Sequence, residues 1–231
     1  MGRRSVHLPW HYPACYADRV ATDLIDIDPQ APSVEALDRA EAAIRLGQVV
    51  AIPTDALYAL VADPFDLRAV RQVYHAKGRE NHRPLPLFVR DALMVEELVR
   101  EVSPRFQILA RRFWPGPLTI IMPASPTLPL RATGNTGRLA VRHARSRLVD
   151  ELLARLDQPL IATSANISGR PTCSSGIEVF GVMDGRVDLV LDGGPSTGVG
   201  ATTLDITEQH WRIIREGAIA GSEIAECLAA V

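Results

Sequence analysis

The chain has 231 residues, 47% hydrophobic and 23% charged, with 25 basic against 27 acidic side chains. That length fits one large domain or one domain with a short arm, and the apolar fraction can bury a full core, so global disorder is excluded. A net charge of −2 excludes a protein that coats nucleic acid over its whole surface, while a local basic patch stays open.

Residues 1–32 carry Pro9, Pro13, Pro29 and Pro32 with no sustained period and read as an N-terminal arm; residues 33–231 read as the folded domain. Two arginines near the start have no apolar stretch behind them, a poor signal peptide. His7 and His11 are four apart but lack a third ligand, so no metal site is expected. From Ser33, a candidate N-cap, Val34, Leu37, Ala40 and Ile44 recur at helical spacing up to Gly47. The run 49–52 reads as a buried strand ending at Pro53, and 57–61 as a second. Asp66 is positioned to cap a helix that Gly78 stops. Then come a strand at 86–89, a helix from Asp91 to about 100, and a helix opened by Ser103-Pro104 and closed by Trp114-Pro115-Gly116-Pro117. Strands follow at 118–122 and 139–141, an amphipathic helix at 146–156, and a strand at 160–162 opening into Thr163-Ser164-Ala165-Asn166. Strands at 187–191, 202–206 and 211–214 and a helix over about 221–229 complete the chain. Strands alternating with helices and then clustering predict a mixed α/β fold.

No apolar run approaches the ~18–20 residues of a membrane span. Cys15, Cys173 and Cys227 are odd in number and far apart, which argues against a disulfide framework and for a reducing cytoplasm. Of the 25 basic residues one is lysine, Lys77. A compact ammonium is something a guanidinium fork does not always replace, so Lys77 is a candidate for chemistry. P-loop, GxSxG and HExxH patterns are absent, and the glycine-rich 193–200 loop has the wrong spacing for a dinucleotide fingerprint.

Three segments place small polar or cationic groups at predicted strand or helix ends. They are Pro53-Thr54-Asp55 with Tyr58, Lys77-Gly78-Arg79 with Arg83, and Ser164-Ala165-Asn166-Ile167-Ser168-Gly169. Each is also explained by turn or capping chemistry alone. Arg142 and Arg215 sit at strand ends as well. Cations and hydroxyls without a nucleophile–base pair or metal cluster fit chemistry that needs only positioning and charge stabilisation, such as nucleotidyl transfer from ATP.

In order, Pro53-Thr54-Asp55-x-x-Tyr58, Lys77-Gly78-Arg79 with Arg83-Pro84-Leu85, Trp114–Thr119, Ser164-x-Asn166-x-Ser168-Gly169-x-Pro171, Asp192-Gly193-Gly194 and Arg215-x-Gly217-Ala218 resemble the YrdC-type threonylcarbamoyl-AMP synthases over about residues 34–219. The resemblance implies a YrdC-like α/β fold, a twisted mixed sheet with flanking helices around a large concave basic cavity. It implies a nucleotidyltransferase forming threonylcarbamoyl-AMP and pyrophosphate from L-threonine, bicarbonate and ATP for tRNA modification. Magnesium would accompany the phosphates, with tRNA and a threonylcarbamoyl-transferase protein as further partners and no membrane. By resemblance Lys77 and Arg79 are catalytic. Thr54, Tyr58, Arg142 and Ser164 contact the amino acid, and Lys77, Arg79, Arg83, Thr119, Asn166, Ser174 and Arg215 contact ATP. Lys77 is expected on an exposed rim, so that its loss leaves the fold intact. Departures from the family pattern fall at Ala59, Val61, Phe88, His143 and Ala201. The competing reading is a non-catalytic or divergent YciO-like paralogue that binds tRNA or other RNA, for which the arginine-rich stretches 100–112 and 131–155 speak.

Overall fold

A computed structural model describes residues 21–80, 83–126, 133–196 and 198–229. Eleven strands and seven helices are present among them, and the strands form two sheets, five-stranded β1-β9-β2-β3-β8 and six-stranded β11-β10-β5-β6-β4-β7. Both mix parallel with antiparallel pairs. The expected mixed sheet is therefore divided in two.

The five-stranded sheet comprises β1 (Asp23–Asp26), β2 (Val50–Ile52), β3 (Ala59–Val61), β8 (Thr163–Ser164) and β9 (Leu189–Asp192). β2, β3 and β9 are buried on both faces. Val49 and Ala51 pack into one hydrophobic cluster while Val50 and Ile52 pack into another, against α1 (Val34–Arg45) and α5 (Arg147–Leu156). That double burial is why this stretch reads as a continuous apolar run. The helix starts were legible because their caps are local: Ser33, Asp66, Asp91, Ser103 and Ser146 each accept a backbone N–H from the first turn of their helix.

Three elements were missed. The stretch read as one strand at 160–162 is followed by a separate strand, β8, that joins the five-stranded sheet. β1 lies inside the segment read as an arm and pairs in parallel with β9 at the sheet edge, where Thr22 Oγ1 donates to Val187 O at 2.6 Å and accepts Gly185 N–H at 2.9 Å. α6 (Gly176–Met183) follows Ser175, yet it carries two glycines and is apolar nearly all round, so it shows no helical stripe. His7, His11 and Cys15 lie outside the described residues.

The six-stranded sheet comprises β4 (Leu87–Phe88), β5 (Leu118–Pro123), β6 (Arg138–Arg142), β7 (Leu160–Ile161), β10 (Thr202–Asp205) and β11 (Arg212–Arg215). Its register builds one side of the site. Thr203 is opposite Arg215 on one side and Thr119 on the other. Ile120 is opposite Val141, which sets Thr119 opposite Arg142, and Arg142 is in turn opposite Phe88. Partners in register share a sheet face. Arg215, Thr203, Thr119, Arg142 and Phe88 thus form one row across five strands.

Candidate active site

That row faces a cavity of about 520 Å³, and β3 and β8 supply the opposing wall through Ala59 and Ser164, themselves a register pair. Thr54, Tyr58, Arg79, Arg83, Thr119, Arg142, Ser164 and Arg215, all expected in the site, line it together. Among the described residues no aspartate or glutamate does. A concave surface with four guanidiniums and no carboxylate favours a polyanion.

The four guanidiniums differ in what holds them. Arg79 follows Gly78, whose left-handed φ of 54° ends α2 (Leu67–Lys77) and turns the chain toward the cavity. Its Nη2 donates to Pro84 O at 2.8 Å, and its buried Nε has no partner. Burial, and then the like charge of Arg83, lowers its pKa. Arg83 is exposed and meets the Glu80 carboxylate across 3.9 Å in solvent. Arg215 donates to Ala201 O at 3.0 Å. Gly217 lets that strand end approach closely, since a Cβ there would lie 2.3 Å from Gly200 O.

Arg142 is only 7% exposed. Its Nε donates to Gly116 O at 3.0 Å and its Nη2 to Asp55 Oδ1 at 2.5 Å, while its guanidinium carbon lies 5.9 Å from the Phe88 ring centroid. Gly116 belongs to the Trp114–Pro117 turn, which is fixed by Trp114 Nε1 donating to Leu118 O and Gly116 N–H to His143 O. Burial, opposed by Asp55, lowers the Arg142 pKa.

Lys77 departs from expectation. It is 2% exposed rather than on a rim, and it does not line the cavity. Its Nζ donates to Ser164 O, to Asn166 O at 3.0 Å and to Asn166 Oδ1 at 2.9 Å, with Ser164 Oγ at 3.4 Å. The ammonium therefore sits behind the wall and locks the Ser164–Asn166 turn, whose front member, Ser164, faces the cavity. Burial, and then Arg79, pushes its pKa down to about 7, and the four surrounding oxygens are what make an ammonium tolerable there.

Asn166 is also withdrawn, with its Oδ1 taken by Lys77 and Ser164 and its Nδ2 given to Arg170 O. Ser174 lies off the cavity with its hydroxyl on Glu178, and Thr172 lines the cavity instead. Tyr58 lines the cavity but is fully buried, and its hydroxyl is committed elsewhere: it donates to Gly194 O at 2.8 Å, lies 3.1 Å from Asp192 Oδ1 and accepts Gly193 N–H at 2.9 Å. Burial pushes that phenol up to about 12. Thr54 Oγ1 donates to Leu57 O at 2.6 Å, so this hydroxyl shapes its own turn. Thr163, Thr172 and Thr203 were missed as lining residues. Register alone would have exposed Thr203, but register is not readable before strands are paired.

The family model for Sua5/YciO/YrdC proteins, described as "Telomere recombination", matches residues 42–217. The chain belongs to the Sua5/YciO/YrdC family. Relatives within it include the threonylcarbamoyl-AMP synthase of Pyrococcus abyssi, 36% identical over 186 residues, which are 80% of this chain and 55% of the relative. A putative threonylcarbamoyl-AMP synthase of Mycobacterium leprae is 33% identical over 90% of this chain and 94% of its own length. The crystal structure of P. abyssi Sua5 complexed with L-threonine superposes with a TM-score of 0.86 at 33% identity, covering 91% of this chain and 62% of that one. The chain thus spans 55% to 62% of the P. abyssi protein. Of the departures from the family pattern, Ala59, Phe88 and Ala201 line the cavity, while Val61 belongs to the cluster under α1 and α5.

Proposed function

We propose that this chain is an L-threonylcarbamoyladenylate synthase. The supporting observation is the charge layout of the cavity. Arg79 and Arg83 lack a buried carboxylate partner, and Arg142 at the other side already has one. Such a site suits a triphosphate at the first pair and a monoanionic amino-acid carboxylate at the second. The threonine amine forms an N–C bond to the carbon of bicarbonate, a C–O bond of which breaks with loss of water, to give a carbamate. A carbamate oxygen then attacks the α-phosphorus of ATP, and pyrophosphate leaves. The protein supplies positioning and positive potential, and the substrates supply the nucleophile.

In this reading Arg79, Arg83, Thr119 and Arg215 hold ATP, Arg142 takes the threonine carboxylate, and Ser164 and Thr54 border the amino acid. Lys77 and Asn166 act through Ser164. Tyr58 positions the 192–194 turn, and Ser174 takes no direct part. Magnesium enters on the phosphates as part of the substrate. The folded unit includes β1, ahead of the expected start at residue 33, and tRNA and a threonylcarbamoyl-transferase protein act downstream in the cytoplasm. Release of pyrophosphate that requires ATP, bicarbonate and threonine together tests this reading; release that ignores bicarbonate, or none at all, overturns it.

A further inference from the structure

Asp55 lies next to Thr54 in a segment whose other members line the cavity, yet it does not line it itself. Its side chain and that of Arg142 are 12% and 8% exposed, so the carboxylate and the guanidinium meet inside the fold. Among the described residues, Arg142 is the lining guanidinium paired with a buried carboxylate. Two of its five N–H groups are committed, one to Gly116 O and one to Asp55, and the Phe88 ring underlies its plane. That leaves a fork of fixed orientation and little net charge facing the cavity.

We infer that Asp55 is a positioning residue that sorts the two anionic substrates. By offsetting the Arg142 charge it makes that side of the cavity poor for phosphate, whose binding scales with charge. By fixing the fork it keeps that side good for a carboxylate, whose binding scales with bidentate geometry. Triphosphate is thereby directed to Arg79 and Arg83, and the amino acid to Arg142. The inference rests on the synthase reading for the identity of the carboxylate, but the charge sorting itself is testable without turnover.

Asp55→Asn keeps the shape and removes the charge. In steady-state assays it should raise the threonine KM by about tenfold, the loss of one charge-assisted orienting bond, and leave the ATP KM within about twofold. Inorganic phosphate should become a competitive inhibitor against threonine. Asp55→Glu, which restores the charge on a longer stem, should recover most of the threonine KM. Parallel rises in both KM values, or equal defects in the Asn and Glu variants, would show a merely structural role and overturn the inference. Calorimetric titration with inorganic phosphate should show one more bound phosphate in Asp55→Asn than in the unsubstituted protein; unchanged stoichiometry overturns the sorting even if no pyrophosphate is ever released. If the extra phosphate binds while the unsubstituted protein releases no pyrophosphate, the sorting holds and the synthase reading alone falls.

Discussion

At the scale of the residue, the lone lysine was worth singling out, but for a reason that only burial reveals. Lys77 faces inward onto Ser164 and Asn166. Sequence shows that a lysine precedes a helix-ending glycine; which way it points depends on how α2 packs against β8. Replacing it with methionine takes the ammonium donor from Ser164 O, Asn166 O and Asn166 Oδ1, of which Ser164 O keeps Asn166 N–H and Asn166 Oδ1 keeps the Ser164 hydroxyl. Lys77→Met should therefore cost about 2–4 kcal/mol of stability at neutral pH, measured by urea unfolding, rather than leaving the fold untouched. The pH dependence has a definite sign. The folded pKa is pushed down to about 7 from an unfolded value of about 10.4, so between these limits the unfolded chain binds the extra proton. Stability should rise with pH across that window in the unsubstituted protein and not below it, and Lys77→Met should remove the slope. An unchanged slope in the variant would assign it to another group.

At the scale of the element, the sequence was most readable where its signals are local. Capped helices and apolar runs appear at their expected places, with ends displaced by one or two residues. β1 and α6 fail that test: one is a short edge strand held by a distant partner, the other a helix without a polar face. Thr22 joins β1 to the turn before β9 through two hydrogen bonds. Thr22→Val, which keeps the shape, should cost about 1–3 kcal/mol by removing both of these hydrogen bonds, and hydrogen exchange should rise first along β1. Loss of protection elsewhere before β1 would contradict that assignment. The site shows the same division. Motif residues with local signals, such as Arg79 just after α2 and Ser164 at the end of β8, were identifiable by type and spacing. The Arg215-Thr203-Thr119-Arg142-Phe88 row depends on strand pairing across residues 87–215, and so Thr203 went unnoticed.

At the scale of the whole molecule, a chain of net charge −2 concentrates four guanidiniums in one cavity with no carboxylate among the described lining residues. This separation makes a small polyanion a better ligand than an extended one: attraction is local, while the rest of the chain is net negative. ATP should raise the thermal midpoint, with about 2.7 kcal/mol of stabilisation when its concentration is 100 times its Kd. Arg79→Ala combined with Arg83→Ala should abolish that shift, while the ligand-free midpoint falls only by what the Arg79–Pro84 O hydrogen bond contributes. A retained shift would place the phosphates elsewhere.

The chemistry itself is read most directly from the product. With carbon-13 bicarbonate, threonine and ATP, mass spectrometry should detect a threonine–AMP adduct that carries the label in its carbamoyl carbon, together with pyrophosphate. An adenylate formed without the label, or AMP with no amino-acid adduct, would contradict the account.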